Sequence, residues 1–331
     1  MVDTSKDKHL IRSIYNKIQD LHKSKTIILL LTLAAFIFII YLIYQEWDFL
    51  VSFDWKLKWQ YLLFAAFIHT VALVLMQYNW HLMMKFFEGN QNWKKNFSAY
   101  AVSLASRRIP APLFYIGERF FLYTNKETNH KSIALSTSLE ILLIGLAGFL
   151  FFILLLPFYS FIPVNISSEL ITFFTLIGLS AVIFLPNLYN KLINFLFKTI
   201  NKDEFEVKLR IKPLLFWLLL YLFVWLLDGI VLHFVSKSLI NEAIKLPDTL
   251  GISTIAALVG FLSQFIPVGL GLKELTSSAL YNRWYPIGVG VVIAISCRIL
   301  MTVIEFFWAW FWRQLWNNHK SDSNTTKELL E

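Results

Sequence analysis

The chain has 331 residues, of which 57% are apolar, 17% aromatic and 16% charged, and its mean hydropathy is +0.58. Soluble domains contain roughly 45–50% apolar residues, so this composition excludes a soluble enzyme. The single cysteine, Cys297, excludes an internal disulfide and a thiolate metal cluster, and no metal or cofactor is expected.

Apolar stretches with few or no charges recur along the chain, and each is long enough to cross a bilayer core about 30 Å thick as a helix. Six full spans are predicted: Thr26 to Gln45, Gln60 to Met84, Ser132 to Phe158, Leu170 to Asn190, Pro213 to Ser236 and Pro286 to Trp312. The predicted fold is therefore all-α, a polytopic membrane helix bundle with a single integral membrane domain over residues 26–316.

Two further apolar segments, Phe97 to Tyr123 and Thr249 to Tyr281, break in the middle at Pro, Gly and charged residues. Such breaks interrupt the backbone hydrogen bonding that a continuous membrane helix needs. We therefore predict that each segment forms a broken or re-entrant helical hairpin.

Basic residues are distributed unequally over the loops and termini when the six spans alternate across the membrane. One side carries 23 Lys and Arg residues and the other side carries six. By the positive-inside rule both termini are predicted to be cytoplasmic. The net charge of +8 then reflects this topology and contact with anionic lipid headgroups, and no nucleic-acid partner is expected.

The two ends of the chain are polar. Residues 1–25 carry apolar side chains at helical spacing among basic ones, which predicts an amphipathic segment on the cytoplasmic surface. The alternative is a simple positive anchor for the first span. Residues 317–331 are predicted to be a cytoplasmic tail, disordered from Ser321 onward.

A short pattern occurs twice, once in each broken segment. Ser106–Pro112 reaches Gly117–Arg119, and Ser263–Gly269 reaches Gly271–Glu274. In both copies an apolar half-helix meets an Ile-Pro break and then a Gly close to a Glu with a basic neighbour. The pattern predicts an internal repeat, although Pro and Gly that merely kink two helices are an alternative.

The repeat units cover about residues 60–158 and 213–312, and the span from Leu170 to Asn190 lies between them. This extra span makes the second unit start from the opposite side of the membrane, so the repeat is predicted to be inverted. Inverted repeats with broken helices are typical of transporters that bind substrate between the two units near the bilayer midplane.

The segment from Phe265 to Glu274 resembles the lysylphosphatidylglycerol synthase transmembrane-region family, whose hallmark is Pro-x-Gly-x-Gly-x-(Arg/Lys)-Glu. Ile109-Pro110 with Gly117–Arg119 is similar to the first half of that family, although Ala111 and Pro112 depart from its more glycine-rich form. The resemblance implies a flippase-like domain that handles lipids such as aminoacylated phospholipids, isoprenoid-linked sugars or hopanoids. Because only a short tail follows the last predicted span, we expect no aminoacyl transferase domain.

Ionisable side chains inside these apolar segments are the candidate substrate-binding groups, because each costs at least about 2.5–3.5 kcal/mol to insert without a partner or water. Together with the motif's Pro and Gly residues, the predicted site comprises Glu118, Arg119, Glu140, Asp228, Pro267, Gly269, Gly271, Lys273, Glu274, Arg298 and Glu305. Guanidinium groups and glycine N–H groups suit a lipid phosphate. The alternative is internal ion pairing, of Arg298 with Glu274 or Asp228 and of Arg119 with Glu118 or Glu140.

The leading hypothesis is a lipid flippase or lipid carrier of the inner (cytoplasmic) membrane that handles an anionic or isoprenoid-type lipid for the cell envelope. Its expected partners are membrane lipids and envelope-biosynthesis enzymes. A membrane-embedded transferase, with Glu118, Glu140 or Glu274 as base, is a second hypothesis. A third is a scaffold that transports nothing. We favour a chain that is not an enzyme.

Overall fold

The computed structural model describes residues 41, 44–45, 47–55, 57–89, 91–106, 114–123, 130–160, 168–201, 208–242, 244–263 and 271–328. Within these residues 88% of the chain is helical and no strand is found. The prediction of an all-α fold is confirmed.

Ten α-helices form the described part of the chain. In chain order they are α1 Trp47–Ser52, α2 Trp59–Phe86, α3 Trp93–Ser106, α4 Phe114–Leu122, α5 His130–Leu155, α6 Ser168–Asn201, α7 Ile211–Leu239, α8 Leu246–Ser263, α9 Leu272–Tyr281 and α10 Ile287–Glu328. A 3-10 turn at Leu156–Phe158 extends α5. Prolines lie at the starts of three helices. Pro213 and Pro247 lie in the first turns of α7 and α8, and Pro286 directly precedes α10. At these positions the missing N–H removes no hydrogen bond within the helix.

Six described helices are long and apolar enough to cross a membrane, which confirms a polytopic protein. Five of them coincide with predicted spans, and α8 is the sixth. Helix α8, 18 residues long, covers the first part of the segment predicted as the second broken hairpin. The predicted first span, Thr26 to Gln45, lies outside the described residues except at its last positions.

Each predicted hairpin contains two helices that pack against each other, α3 with α4 and α8 with α9. The connections, residues 107–113 and 264–270, lie outside the described residues, so the re-entrant geometry stays a prediction. The N-terminal segment 1–25 is also outside them. Helix α10 extends past Ser321 to Glu328, and the predicted disorder of the tail stays a prediction. Residues 313–328 contain no Pro or Gly to end that helix.

Helix α7 lies at the centre of the bundle and contacts α2, α5, α6, α8 and α10. Glycines allow some helices to approach closely: a Cβ on Gly148 of α5 would lie 2.4 Å from the Trp225 ring, and a Cβ on Gly229 would lie 2.4 Å from Leu250. Small residues at helix crossings are the usual device for tight packing in membranes.

The helices on either side of α6 form two groups of four, α2 to α5 and α7 to α10. Across the groups α2 packs on α7, α3 on α10 and α5 on α8. If α2 to α5 correspond in order to α7 to α10, a two-fold relation maps the α3–α10 contact onto the α5–α8 contact and the α2–α7 contact onto itself. The observed contacts agree with such a relation, and the inverted repeat itself stays a prediction.

Candidate functional site

Two clusters of ionisable side chains lie deep in the bundle. Glu140 is ten residues from the start of α5 and Arg298 is eleven residues from the start of α10. At 1.5 Å per residue these positions are about 15 Å and about 16 Å along their helices. With each helix start at the membrane surface, a hydrocarbon core about 30 Å thick places both clusters near its middle.

The first cluster is a buried ion pair between Arg119 of α4 and Glu140 of α5, whose side chains are 2% and 3% exposed. Both terminal nitrogens of Arg119 donate to the carboxylate, one of them to Oε1 at 3.3 Å. Arg119 Nε donates to Ser103 Oγ at 3.1 Å, and the Tyr100 hydroxyl donates to Glu140 Oε1 at 2.8 Å. This arrangement satisfies both charges internally.

Aromatic rings enclose the Arg119 guanidinium. Its central carbon lies 4.3 Å from the ring centre of Trp80, 4.7 Å from that of Tyr100 and 5.5 Å from that of Tyr115. These distances are within the range of cation–π attraction. The rings and the carboxylate together close the first cluster against a ligand the size of a lipid headgroup.

A small cavity adjoins this cluster at the junction of α3, α4, α5 and α8. Its lining consists of Tyr100, Leu104, Tyr115, Arg119, Glu140, Ile141, Ile144 and Phe261. Its volume of about 20 Å³ holds one water molecule. A phosphate group does not fit there unless the helices move.

The second cluster joins α7, α8, α9 and α10. Arg298 donates through Nη1 to Glu274 Oε1 at 2.8 Å, and Lys273 Nζ lies 3.5 Å from Asp228 Oδ2. Ser253 Oγ donates to the same Asp228 oxygen at 3.0 Å. Of the two partners predicted for Arg298, the structure selects Glu274.

The second cluster is far more open than the first. The Lys273 and Arg298 side chains are 40% and 29% exposed, and Asp228 is 23% exposed. Among the described contacts each cation has one carboxylate beside it. These two cations are thus partly exposed, whereas Arg119 is buried.

The start of α9 places Lys273 and Glu274 in this cluster. Gly271 precedes the helix with φ of 93°, in the left-handed region that favours glycine. Glu274 then lies in the first turn, where a carboxylate interacts favourably with the helix dipole. The predicted site residues Pro267 and Gly269 lie outside the described residues.

The remaining predicted residues, Glu118 and Glu305, belong to neither ion-paired cluster. Glu118 is partly exposed beside Arg119, which pairs with Glu140 instead. Glu305 is buried, and one of its oxygens lies 3.6 Å from His69 Nε2. The structure therefore divides the predicted set into a sealed pair, an open cluster and a separate buried contact.

Sequence reasoning missed several polar partners of these charges. Tyr100 and Ser103 are one helical turn apart on α3 and so share a face, which is a signal that could have found them. Nothing near Ser253 in the sequence indicates its bond to Asp228, because that contact depends on how α7 packs against α8.

The comparisons with known proteins agree with the helices and the motif. Residues 26–309 match the family described as the lysylphosphatidylglycerol synthase TM region. No curated protein matches the sequence. Because the match covers most of the chain, including α2 to α9 and most of α10, the protein belongs to the lysylphosphatidylglycerol synthase transmembrane-region family.

Proposed function

We propose that this protein binds the phosphate-bearing headgroup of an anionic or isoprenoid-type lipid at Lys273 and Arg298. It then carries that lipid across the membrane as a flippase or lipid carrier. The observation that supports the proposal is the exposure of these two cations near the middle of the bilayer, 40% for Lys273 and 29% for Arg298.

A half-exposed cation at this depth has an unfavourable energy against hydrocarbon, so its open side needs water or an anion. The planar guanidinium of Arg298 fits two phosphate oxygens, and the Lys273 ammonium adds a mobile point charge. Glu274 and Asp228 balance these charges when no lipid is bound. The cluster thus supplies positive charge to a headgroup. When no headgroup is bound, its cations are paired with the two carboxylates.

In this proposal the first cluster is structural. Arg119 is 1% exposed and is already neutralised by Glu140, so it has no free side for a phosphate. Its role is to join α4 to α5. The two units therefore have different tasks, with the headgroup handled by α7 to α10.

The membrane family and the unequal distribution of basic residues support a location in the cytoplasmic membrane. In the predicted topology most Lys and Arg residues of the loops and termini lie on one side, so we propose that both termini face the cytoplasm. A role in envelope assembly, beside envelope-biosynthesis enzymes, belongs to the same proposal.

The test is lipid movement in liposomes that contain the purified protein. Fluorescent phosphatidylglycerol and a fluorescent polyprenyl phosphate serve as probes, and a membrane-impermeant reductant reports label that reaches the outer leaflet. Arg298→Gln and Lys273→Gln should each slow movement by about tenfold or more, since a charged hydrogen bond contributes about 1.5–3 kcal/mol. Arg313→Gln, a charge removed from an exposed position on α10, is the matched control and should leave the rate unchanged.

Two results would favour the other hypotheses. Movement no faster than in protein-free liposomes, for both probes, would contradict transport and favour a scaffold. A chemically altered lipid after incubation would instead indicate a transferase.

A further inference from the structure

Asp228 is an ionisable side chain in the interior of a membrane helix. Among the described contacts, the cation beside its carboxylate is Lys273. The Asp228 Oδ2 atom accepts from Ser253 Oγ at 3.0 Å and lies 3.5 Å from Lys273 Nζ. The Asp228 side chain is 23% exposed and that of Lys273 is 40% exposed. Lys273, in the first turn of α9, is thus the more exposed partner, and Asp228 lies in the interior of α7.

Other ionisable groups on α7 and on the helices packed against it have different partners. Away from the helix ends, the groups whose side chains the structure describes are His69 and His81 on α2, Glu140 on α5, Lys191 on α6, His233 on α7, and Arg298, Glu305 and the exposed Arg313 on α10. Described contacts join Glu140 to Arg119, Arg298 to Glu274, Glu305 to His69, His81 to Asn96 and His233 to Thr249. Lys191 is exposed. Among the described contacts, Lys273 supplies the countercharge of Asp228.

We propose that Asp228 takes up a proton when Lys273 moves to a lipid phosphate, so that headgroup binding and proton uptake are linked. This inference rests on the proposed function. The exchange is balanced: the Lys273 ammonium leaves Oδ2 and pairs with the phosphate, and a proton from water binds the carboxylate in its place. Ser253 stays beside the resulting neutral acid.

The free-energy cost of an unpaired carboxylate determines the direction of this exchange. An ionised carboxylate in the interior of a membrane protein is unfavourable without a cation beside it, and protonation removes the charge. A metal ion is a poor substitute, because hard cations need several oxygen ligands and the described residues contain no group of three or more His, Cys, Asp or Glu that could hold one. A proton needs only the carboxylate.

The functional consequence is an energy source. The lipid and a proton bind the protein on the acidic side of the membrane. Both are released on the other side, where Lys273 pairs with Asp228 again. A transmembrane proton gradient then drives lipid movement in one direction, without a nucleotide.

The first experiment measures protons taken up on lipid binding by the detergent-solubilised full-length protein. Dioctanoyl phosphatidylglycerol is the probe, because its phosphodiester keeps its charge near neutral pH. Isothermal titration calorimetry in buffers of different ionisation enthalpy should show uptake of about one proton per lipid bound. Asp228→Asn should abolish the uptake and bind lipid more tightly at neutral pH, since Lys273 is then released from its carboxylate.

Each outcome of this titration is decisive. Saturable binding without proton uptake, or equal uptake in Asp228→Asn, would overturn the linkage and leave the headgroup site intact. Absence of saturable binding would refute the headgroup site and the linkage with it.

A second experiment tests the same exchange without lipid. Lys273→Met removes the ammonium permanently, so Asp228 should be protonated and give the carbonyl stretch of a carboxylic acid in infrared spectra near neutral pH. The band should be missing from Asp228→Asn/Lys273→Met and from the matched control Lys245→Met, an exposed lysine at the start of α8. No band in Lys273→Met, or in Lys273→Gln as a second variant, would overturn the proposal.

Discussion

Glu140→Gln tests how much the sealed ion pair contributes to the fold. The amide has nearly the shape of the carboxylate, so packing is retained while the charge is removed. Three hydrogen bonds end on the carboxylate, two from Arg119 and one from Tyr100. The substitution therefore leaves the Arg119 cation buried, 1% exposed, with no countercharge.

The expected loss is about 3–5 kcal/mol of unfolding free energy, the usual cost of removing one partner of a buried ion pair. Replacing both partners, as in Arg119→Met/Glu140→Leu, should recover most of that loss, because apolar side chains of similar volume often replace buried pairs at little cost. The single variant is thus expected to be less stable than the double variant.

Reversible unfolding by a denaturing detergent in mixed micelles, followed by tryptophan fluorescence, measures these differences. Glu118→Gln removes a partly exposed charge next to Arg119 and is the matched control, with an expected change of about 0–1 kcal/mol. A Glu140→Gln protein as stable as the wild type, or a double variant no more stable than it, would refute the reasoning.

Two further predictions concern packing and topology. Gly148→Ala should destabilise the protein by about 1–3 kcal/mol, because its Cβ would lie 2.4 Å from the Trp225 ring. Gly117→Ala, where a Cβ meets nothing within 4 Å, should instead be neutral or stabilising by up to about 1 kcal/mol in the same unfolding assay. Single cysteines at Ala111 and Val268, in a cysteine-free background, should react with impermeant thiol reagents from opposite sides of the membrane; labelling from one side would contradict the inverted re-entrant hairpins.

Features that depend on local composition were predictable from the sequence. Charge-free apolar length located five of the six described spans, because a membrane helix must satisfy its own backbone and needs little else. The motif around Gly271 indicated the family that residues 26–309 match, whereas the helix start at Leu272 is seen only in the structure. Pairing of Arg298 with Glu274 was one of two alternatives considered.

Features that depend on packing between distant helices were not predictable. Lys273 and Asp228 are 45 residues apart, and their contact follows from how α9 packs in the bundle. The sealed state of Arg119 likewise depends on Trp80 from α2 and Tyr100 from α3. The sequence analysis predicted no partner for Lys273, and the difference in burial between the two pairs is seen only in the structure.

The unequal burial of these two pairs also bears on how the protein can evolve. Exchanging the partly exposed Lys273 costs the fold less than exchanging Arg119, because loss of Arg119 leaves the Glu140 charge in a sealed interior. In the proposed function, variants with altered lipid preference can therefore arise around Lys273 and Arg298 while the Arg119–Glu140 pair is unchanged. Such separation of stability from recognition lets one scaffold diversify without passing through unstable intermediates.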